Sequence, residues 1–237
     1  MEKLLPIGKQ KNIYVNDVHT FGTDAVLLAN FSNPKPNDII LDIGSGCGII
    51  PFLMLRDNRN LNITAAEIQK DAALLCKKTS ETQNMPLKVL NIDIKNHKKF
   101  LINNSFSLIT CNPPYKTPNG GLISPCKDRS LQRHEITLNI NDLAVCAQKL
   151  LKFGGRICIC IRTERLFAAA KAFSLNGLEP KTLKLVFKNE RSEAKLALLE
   201  CKKGAKEGIK IKPPLFLTLN GKPTKEIDEI YNSMKTK

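Results

Sequence analysis

The run Asp38-Ile39-Ile40-Leu41-Asp42-Ile43-Gly44-Ser45-Gly46-Cys47-Gly48 joins a short apolar segment to a glycine-rich turn. The apolar, β-branched half predicts a strand, and the apolar stretch from Ile49 to about Arg56 predicts a helix directly after the turn. Glycines at 44, 46 and 48 let the backbone turn tightly and let a ligand approach with no Cβ in the way. A second strand, Asn62 to Glu67, ends on a carboxylate 23 residues after Gly44. That is the spacing expected of an acid that accepts hydrogen bonds from both ribose hydroxyls.

The third glycine comes one residue earlier than in the dinucleotide fingerprint. Asp42, inside the strand just before the loop, would repel a pyrophosphate and favour an ammonium. An adenosyl ligand carrying an amino acid, S-adenosylmethionine, therefore suits these two acids better than a dinucleotide does.

The same strand and helix alternation continues. Lys70 to Asn84 predicts a helix, Leu87 to Ile92 a third strand ending at Asp93, and Phe106 to Cys111 a fourth ending at Asn112. Leu138 to Leu151 predicts a helix that Gly154-Gly155 breaks. Arg156 to Ile161 predicts a fifth strand, continuous enough in apolar residues to be buried on both faces. A helix over Glu164 to Leu175 follows. Two last strands, Thr182 to Phe187 and Lys195 to Glu200, lie too close for a helical crossover and predict an antiparallel pair. The expected fold is α/β and Rossmann-like, a seven-stranded mostly parallel sheet with one antiparallel strand at the edge. Ligands of such sheets bind beyond the carboxyl ends of the strands, where Asp42, Glu67, Asp93 and Asn112 all fall.

Composition sets the outer bounds. The chain has 237 residues, 42% of them hydrophobic, too apolar for an intrinsically disordered protein. The length suits a single domain over 1–237: an N-terminal segment 1–37, a core 38–201 and a basic tail 202–237. No stretch reaches the ~20 consecutive apolar residues of a membrane span. The N-terminus lacks the apolar run of a secretory signal, so a cytoplasmic protein without a membrane partner is expected. Eight cysteines, none in a CxxC pair and most in apolar runs, predict reduced buried thiols and no metal site. A formal net charge of +15 favours an anionic partner, nucleic acid first. No obligate protein partner is evident.

After the fourth strand comes Asn112-Pro113-Pro114-Tyr115. The prolines fix φ and remove two N–H donors, leaving a rigid segment rich in acceptors. The Asn112 side-chain carbonyl and the Pro113 backbone carbonyl could both accept from one planar amine, such as an adenine exocyclic amine or a glutamine amide. Tyr115 offers a ring face for stacking.

With the glycine loop and Glu67, this tetrapeptide makes the chain resemble the class I, Rossmann-like S-adenosylmethionine-dependent methyltransferases with an NPPY motif. The resemblance implies that Gly44, Gly46 and Gly48 with Asp42 form the cofactor loop, that Glu67 binds the ribose with Ile68 also against the cofactor, and that Asp93 and Ile94 meet the adenine. It also implies that Asn112, Pro113, Pro114 and Tyr115 hold the target nitrogen, Asn112 touching the cofactor as well. The segment His19 to Leu28 is similar to the upstream segment that closes the cofactor site, through Phe21, Gly22 and Thr23.

A closer resemblance is to the bacterial tRNA1(Val) (adenine-37-N6)-methyltransferases. It is carried by the GTDAVLL look of Phe21 to Leu28, by Arg133-His134-Glu135 about 20 residues after the tetrapeptide, and by the tail from Lys212-Pro213-Pro214-Leu215 to Tyr231. This resemblance implies N6-methylation of adenosine 37 in the anticodon loop of valine tRNA, with Tyr115, Lys116, Arg133 and His134 on the substrate side. His134 stays open among a helix start, an RNA contact and a general base. The segment Lys116 to Gln132 matches no part of the family pattern. The alternatives are a release-factor glutamine N5-methyltransferase, an N6-adenine methyltransferase of rRNA or DNA, and a non-catalytic RNA-binding module.

Overall fold

A computed structural model describes residues 1–57, 60–113 and 138–232. The strands are β1 (Lys3–Gly8), β2 (Lys11–Val15), β3 (Ile39–Ile43), β4 (Asn62–Glu67), β5 (Lys88–Asn91), β6 (Phe106–Cys111), β7 (Leu151–Arg162), β8 (Leu178–Phe187) and β9 (Ala194–Lys203). Short strands β10 (Lys210–Ile211), β11 (Leu215–Phe216), β12 (Thr218–Leu219) and β13 (Lys222–Pro223) follow. The helices are α1 (Thr23–Ser32), α2 (Ile49–Asp57), α3 (Lys70–Thr82), α4 (Ile140–Leu150), α5 (Leu166–Leu175) and α6 (Lys225–Asn232).

The central sheet runs β10-β8-β9-β7-β6-β3-β4-β5, with β11 also on β8. From β7 to β5 every pair is parallel, while β9 runs antiparallel to both β7 and β8. The α/β, mostly parallel expectation holds, with one correction. The antiparallel strand is not at the edge: β9 is inserted between β7 and β8. Its apolar run Ala197-Leu198-Leu199 is fully buried, whereas β8 is buried only at Leu178, Leu183 and Val186 and half-buried elsewhere, as a more peripheral strand is. The tail then adds β10 and β11 beside β8, so the sheet has nine strands among the described residues rather than seven. Gly154-Gly155 does not separate helix from strand either. It lies within β7, where the pairing with β6 shifts register.

Two apolar clusters cover the faces. One gathers α1, α2 and the hairpin residues Ile7 and Ile13. The other gathers α4 and α5 against β6, β7 and β9. Every residue of α2 from Ile49 to Arg56 is buried, as expected of a helix apolar all round, and Pro51 falls in its first turn, where no helical N–H is needed. Arg56 is the one charge in that run. It is accommodated because its guanidinium donates to the Ile7 carbonyl and pairs with Asp57 at 2.6 Å.

The hairpin β1–β2 rests on α3. Tyr14 N–H donates to Thr79 Oγ1, and Asn12 N–H to Gln83 Oε1, both at 3.0 Å. Residues 1–37 are thus a hairpin and a helix, while the tail becomes edge strands, a small hairpin and α6. Seven cysteines are buried, and Cys126 lies outside the described residues. No helix among the described residues is long and apolar enough to cross a membrane.

Candidate active site at the carboxyl edge of the sheet

Strand register brings the expected residues together. Cys111, Ile43, Ala66 and Leu90 lie in one row across β6, β3, β4 and β5. The next residue outward on each strand is therefore Asn112, Gly44, Glu67 and Asn91. One row of four parallel strands presents the start of the glycine loop, Glu67 and Asn112 on a single edge.

The loop is tied down from β4. Gly44 N–H and Ser45 N–H both donate to the Ala66 carbonyl, at 2.8 and 3.3 Å, and Gly46 N–H donates to Glu67 Oε2 at 2.7 Å. Glu67 Oε1 accepts from Gln69 N–H at 2.8 Å. Each carboxylate oxygen has a second lone pair, so these bonds fix the carboxylate without exhausting it. Gly44 and Gly46 have φ of +70° and +55°, and a Cβ built at either would meet no atom within 4 Å. The backbone there is bare toward open space, as a loop lying against a ligand must be. Gly48 differs: a Cβ would strike Cys76 Sγ at 2.6 Å and the Phe52 ring at 2.7 Å, so this glycine serves packing under the loop.

Asp42 is 1% exposed. Its Oδ1 accepts from Thr110 Oγ1 at 2.6 Å, and Ser45 Oγ donates to the Asp42 carbonyl at 2.9 Å. Its Oδ2 has no hydrogen-bond partner among the described residues. Burial pushes the carboxyl up to about 7, against the Thr110 and Ser45 hydrogen bonds and with the nearby Glu67 charge adding to it. A buried carboxylate oxygen of this kind is stabilised by a cation supplied from outside the chain.

Asp93 is half-buried and accepts from Lys95 N–H at 2.9 Å, capping the turn that follows β5. The Ile94 side chain is buried in the core, so only its backbone can serve a ligand. Ile68, directly after Glu67, is 38% exposed and offers an apolar surface at the edge. Phe21 is partly buried against the α1 and α2 cluster, while Gly22 and Thr23 are exposed at the start of α1.

Asn112 and Pro113 are half-buried at the end of β6, and Pro113 borders a small recess with Leu138, Leu143, Ile161 and Arg165. The Asn112 amide Nδ2 donates to Asp24 Oδ2, in the first turn of α1, at 3.0 Å. Pro114, Tyr115, Lys116, Arg133 and His134, also expected in the site, lie outside the described residues.

Two residues of the site have contacts that the sequence does not reveal. Thr110 looks like any β-branched strand residue, and only its register opposite Asp42 reveals its role. Asp24 stands 88 positions from Asn112, and no local pattern links the two.

The adenosyl cofactor's parts find counterparts here: an unpartnered buried carboxylate oxygen for an ammonium, a bare loop backbone, and a fixed acid for a ribose. The fold and this edge are those of a class I methyltransferase, whose methyl donor is S-adenosylmethionine. The profile of the methyltransferase small domain matches residues 5–127. A tRNA1(Val) (adenine(37)-N6)-methyltransferase of Phocaeicola vulgatus is 30% identical over 181 residues, covering 70% of this chain and 76% of that protein. One from a Flavobacteriaceae bacterium (strain 3519-10) is 27% identical over 208 residues, covering 85% of this chain and 84% of the other. Among solved structures, a predicted O-methyltransferase of Agrobacterium tumefaciens superposes with a TM-score of 0.72 at 18% identity, covering 91% of this chain and 99% of that one, a likeness of fold alone. The chain belongs to the methyltransferase small domain family and, within it, to the family of the tRNA1(Val) (adenine(37)-N6)-methyltransferases.

Proposed function

We propose that this protein transfers a methyl group from S-adenosylmethionine to the exocyclic N6 amine of an adenosine in tRNA, adenosine 37 beside the anticodon of valine tRNA. The observation that carries this reading is the placement of Asn112-Pro113 one strand away from the glycine loop, with Glu67 on the next strand over. Relatives with this name along most of the chain support the choice of substrate. A tRNA substrate implies work in the cytoplasm, in contact with the anticodon loop.

In this reading, Glu67 holds the ribose, Ile68 and the Asp93-Ile94 backbone border the adenine, and Asp42 Oδ2 faces the ammonium. Residues 1–37 close the site from the side of α1. The cofactor supplies a methyl already activated on a sulfonium sulfur. The chain's contribution is in-line positioning rather than covalent chemistry. Asn112 Oδ1 and the Pro113 carbonyl accept the two N–H groups of the target amine, drawing its lone pair out of ring conjugation as the new bond forms. No base is needed before attack, because the nitrogen becomes acidic once it is alkylated. The target base must leave the anticodon-loop stack first, at a cost of a few kcal/mol, part of which Tyr115 offsets by stacking on it.

Nucleoside mass spectrometry of valine tRNA from cells with and without the gene tests this reading. Loss of N6-methyladenosine at position 37 on deletion is expected. Its persistence, with a methyl missing from a release-factor glutamine or an rRNA adenine instead, would replace tRNA with that substrate.

A further inference from the structure

We infer that Asp24 is a positioning residue for the methyl transfer: from the first turn of α1, it holds the Asn112 amide so that its carbonyl oxygen, not its NH2, faces the target amine. The inference rests on the proposed function, in which Asn112 receives that amine.

An asparagine amide can be turned over by 180° with little change of shape, and only its partners fix which end is which. In a methyltransferase site the two orientations have opposite consequences. With oxygen outward, Asn112 accepts an N–H of the target amine. With NH2 outward, two donors face each other and the amine is pushed away. Asp24 settles the choice, because a carboxylate only accepts. Asn112 Nδ2 donates to Asp24 Oδ2 at 3.0 Å, so the carbonyl end of that amide is turned away from α1. The position of Asp24 favours the charge this requires, since the first turn of a helix stabilises an anion.

Gly22 points the same way. A Cβ at Gly22 would lie 2.6 Å from Asp24 Oδ1, and no side-chain bond caps this helix start. The carboxylate of Asp24 folds back over residue 22, so a larger residue there would displace it from this position. The backbone does not call for glycine, since its φ of −113° is open to any residue.

The test combines Asp24→Ala, Asp24→Asn, Gly22→Ala, Asn112→Ala and the double variants Asp24→Ala/Asn112→Ala and Gly22→Ala/Asp24→Ala. Each is assayed for kcat on unmodified valine tRNA and for S-adenosylmethionine affinity by calorimetry. Asp24→Ala should lower kcat by about tenfold or more, as expected for a lost charge-assisted hydrogen bond that matters in the transition state, with cofactor affinity within about twofold. Asp24→Asn, which can also be turned over, should fall between. Asp24→Ala/Asn112→Ala should be no slower than Asn112→Ala, and Gly22→Ala should slow the enzyme only where Asp24 is present. In the free protein, the Asn112 side-chain NH2 resonance, assigned by its loss in Asn112→Ala, should move upfield in Asp24→Ala.

Several outcomes would overturn the inference. They are an unchanged kcat in Asp24→Ala beside a slow Asn112→Ala, multiplied losses in Asp24→Ala/Asn112→Ala, or cofactor affinity falling in step with kcat. An unchanged kcat in Asn112→Ala would instead remove the proposed role of Asn112, and so is distinguishable from failure of the inference alone.

Discussion

Single carboxylates set the chemistry of this edge, and each has a measurable signature. Glu67 is anchored by two backbone N–H groups, so Glu67→Ala removes both the proposed ribose acceptor and the brace on the loop. S-adenosylmethionine affinity should fall by about 1.5–3 kcal/mol in calorimetry, and an unchanged value would put the ribose elsewhere. Asp42 behaves differently because burial raises its carboxyl from 3.8 to about 7. Between those values the folded chain holds a proton that the unfolded chain has released. Stability linked to this group is therefore complete below pH 3.8 and is lost as pH rises through about 7. Asp38 and Asp57, both held low, titrate with the opposite sign, so the useful quantity is a difference. The stability gap between Asp42→Asn and the parent, from urea unfolding, should widen in favour of the variant from pH 4 to 7. Cofactor affinity of the parent should climb over the same range as the carboxylate ionises to meet the ammonium. A pH-independent gap would mean that Asp42 ionises as readily in the fold as in the open chain.

Among the elements, those with strong periodicity can be read from the chain and those built on turns cannot. The β3, β4 and β6 ends, and the helices after β3 and β4, follow from apolar runs ending in glycine, in an acid or in Asn112, so the site edge is legible in the amino-acid pattern itself. The hairpin β1–β2 is not. Its turn holds Lys9 and Gln10 at φ of 49° and 56°, where Asn-Gly would have announced it, and Pro6 lies inside the first strand. The two-residue strands of the tail are too short to show any period. The place of β9 is obscured because adjacency in sequence suggests an edge hairpin, although its continuous apolar run calls for two neighbours. The hairpin's hold on α3 depends on Thr79, fully buried, whose hydroxyl accepts from Tyr14 and donates to the Leu75 carbonyl. Thr79→Val keeps the shape and leaves the Tyr14 N–H without that acceptor. A loss of about 1–3 kcal/mol in urea unfolding is expected, with faster amide exchange over 11–15 than over β6. Uniform exchange would show that the hairpin opens only with the whole fold.

At the level of the whole molecule, a formal charge of +15 suits a polyanionic substrate. RNA binding should then be steeply salt-dependent, with log affinity falling against log salt by about 0.7 per phosphate contacted in single-stranded regions. A flat response would separate the charge from the substrate. Charge can be read from composition, but the identity of the RNA cannot. The edge geometry fits any planar amine, and the expected substrate contacts at Tyr115, Lys116, Arg133 and His134 lie outside the described residues. The transfer of a methyl to N6 of one adenosine is tested most directly by incubation of the purified protein with S-adenosylmethionine and an unmodified valine tRNA transcript, followed by nuclease mapping and mass spectrometry. One N6-methyladenosine is expected, at position 37, absent when that adenosine is replaced by guanosine and formed much more slowly with Asn112→Ala. Methylation that survives the replacement, or that appears on another atom, would contradict this assignment.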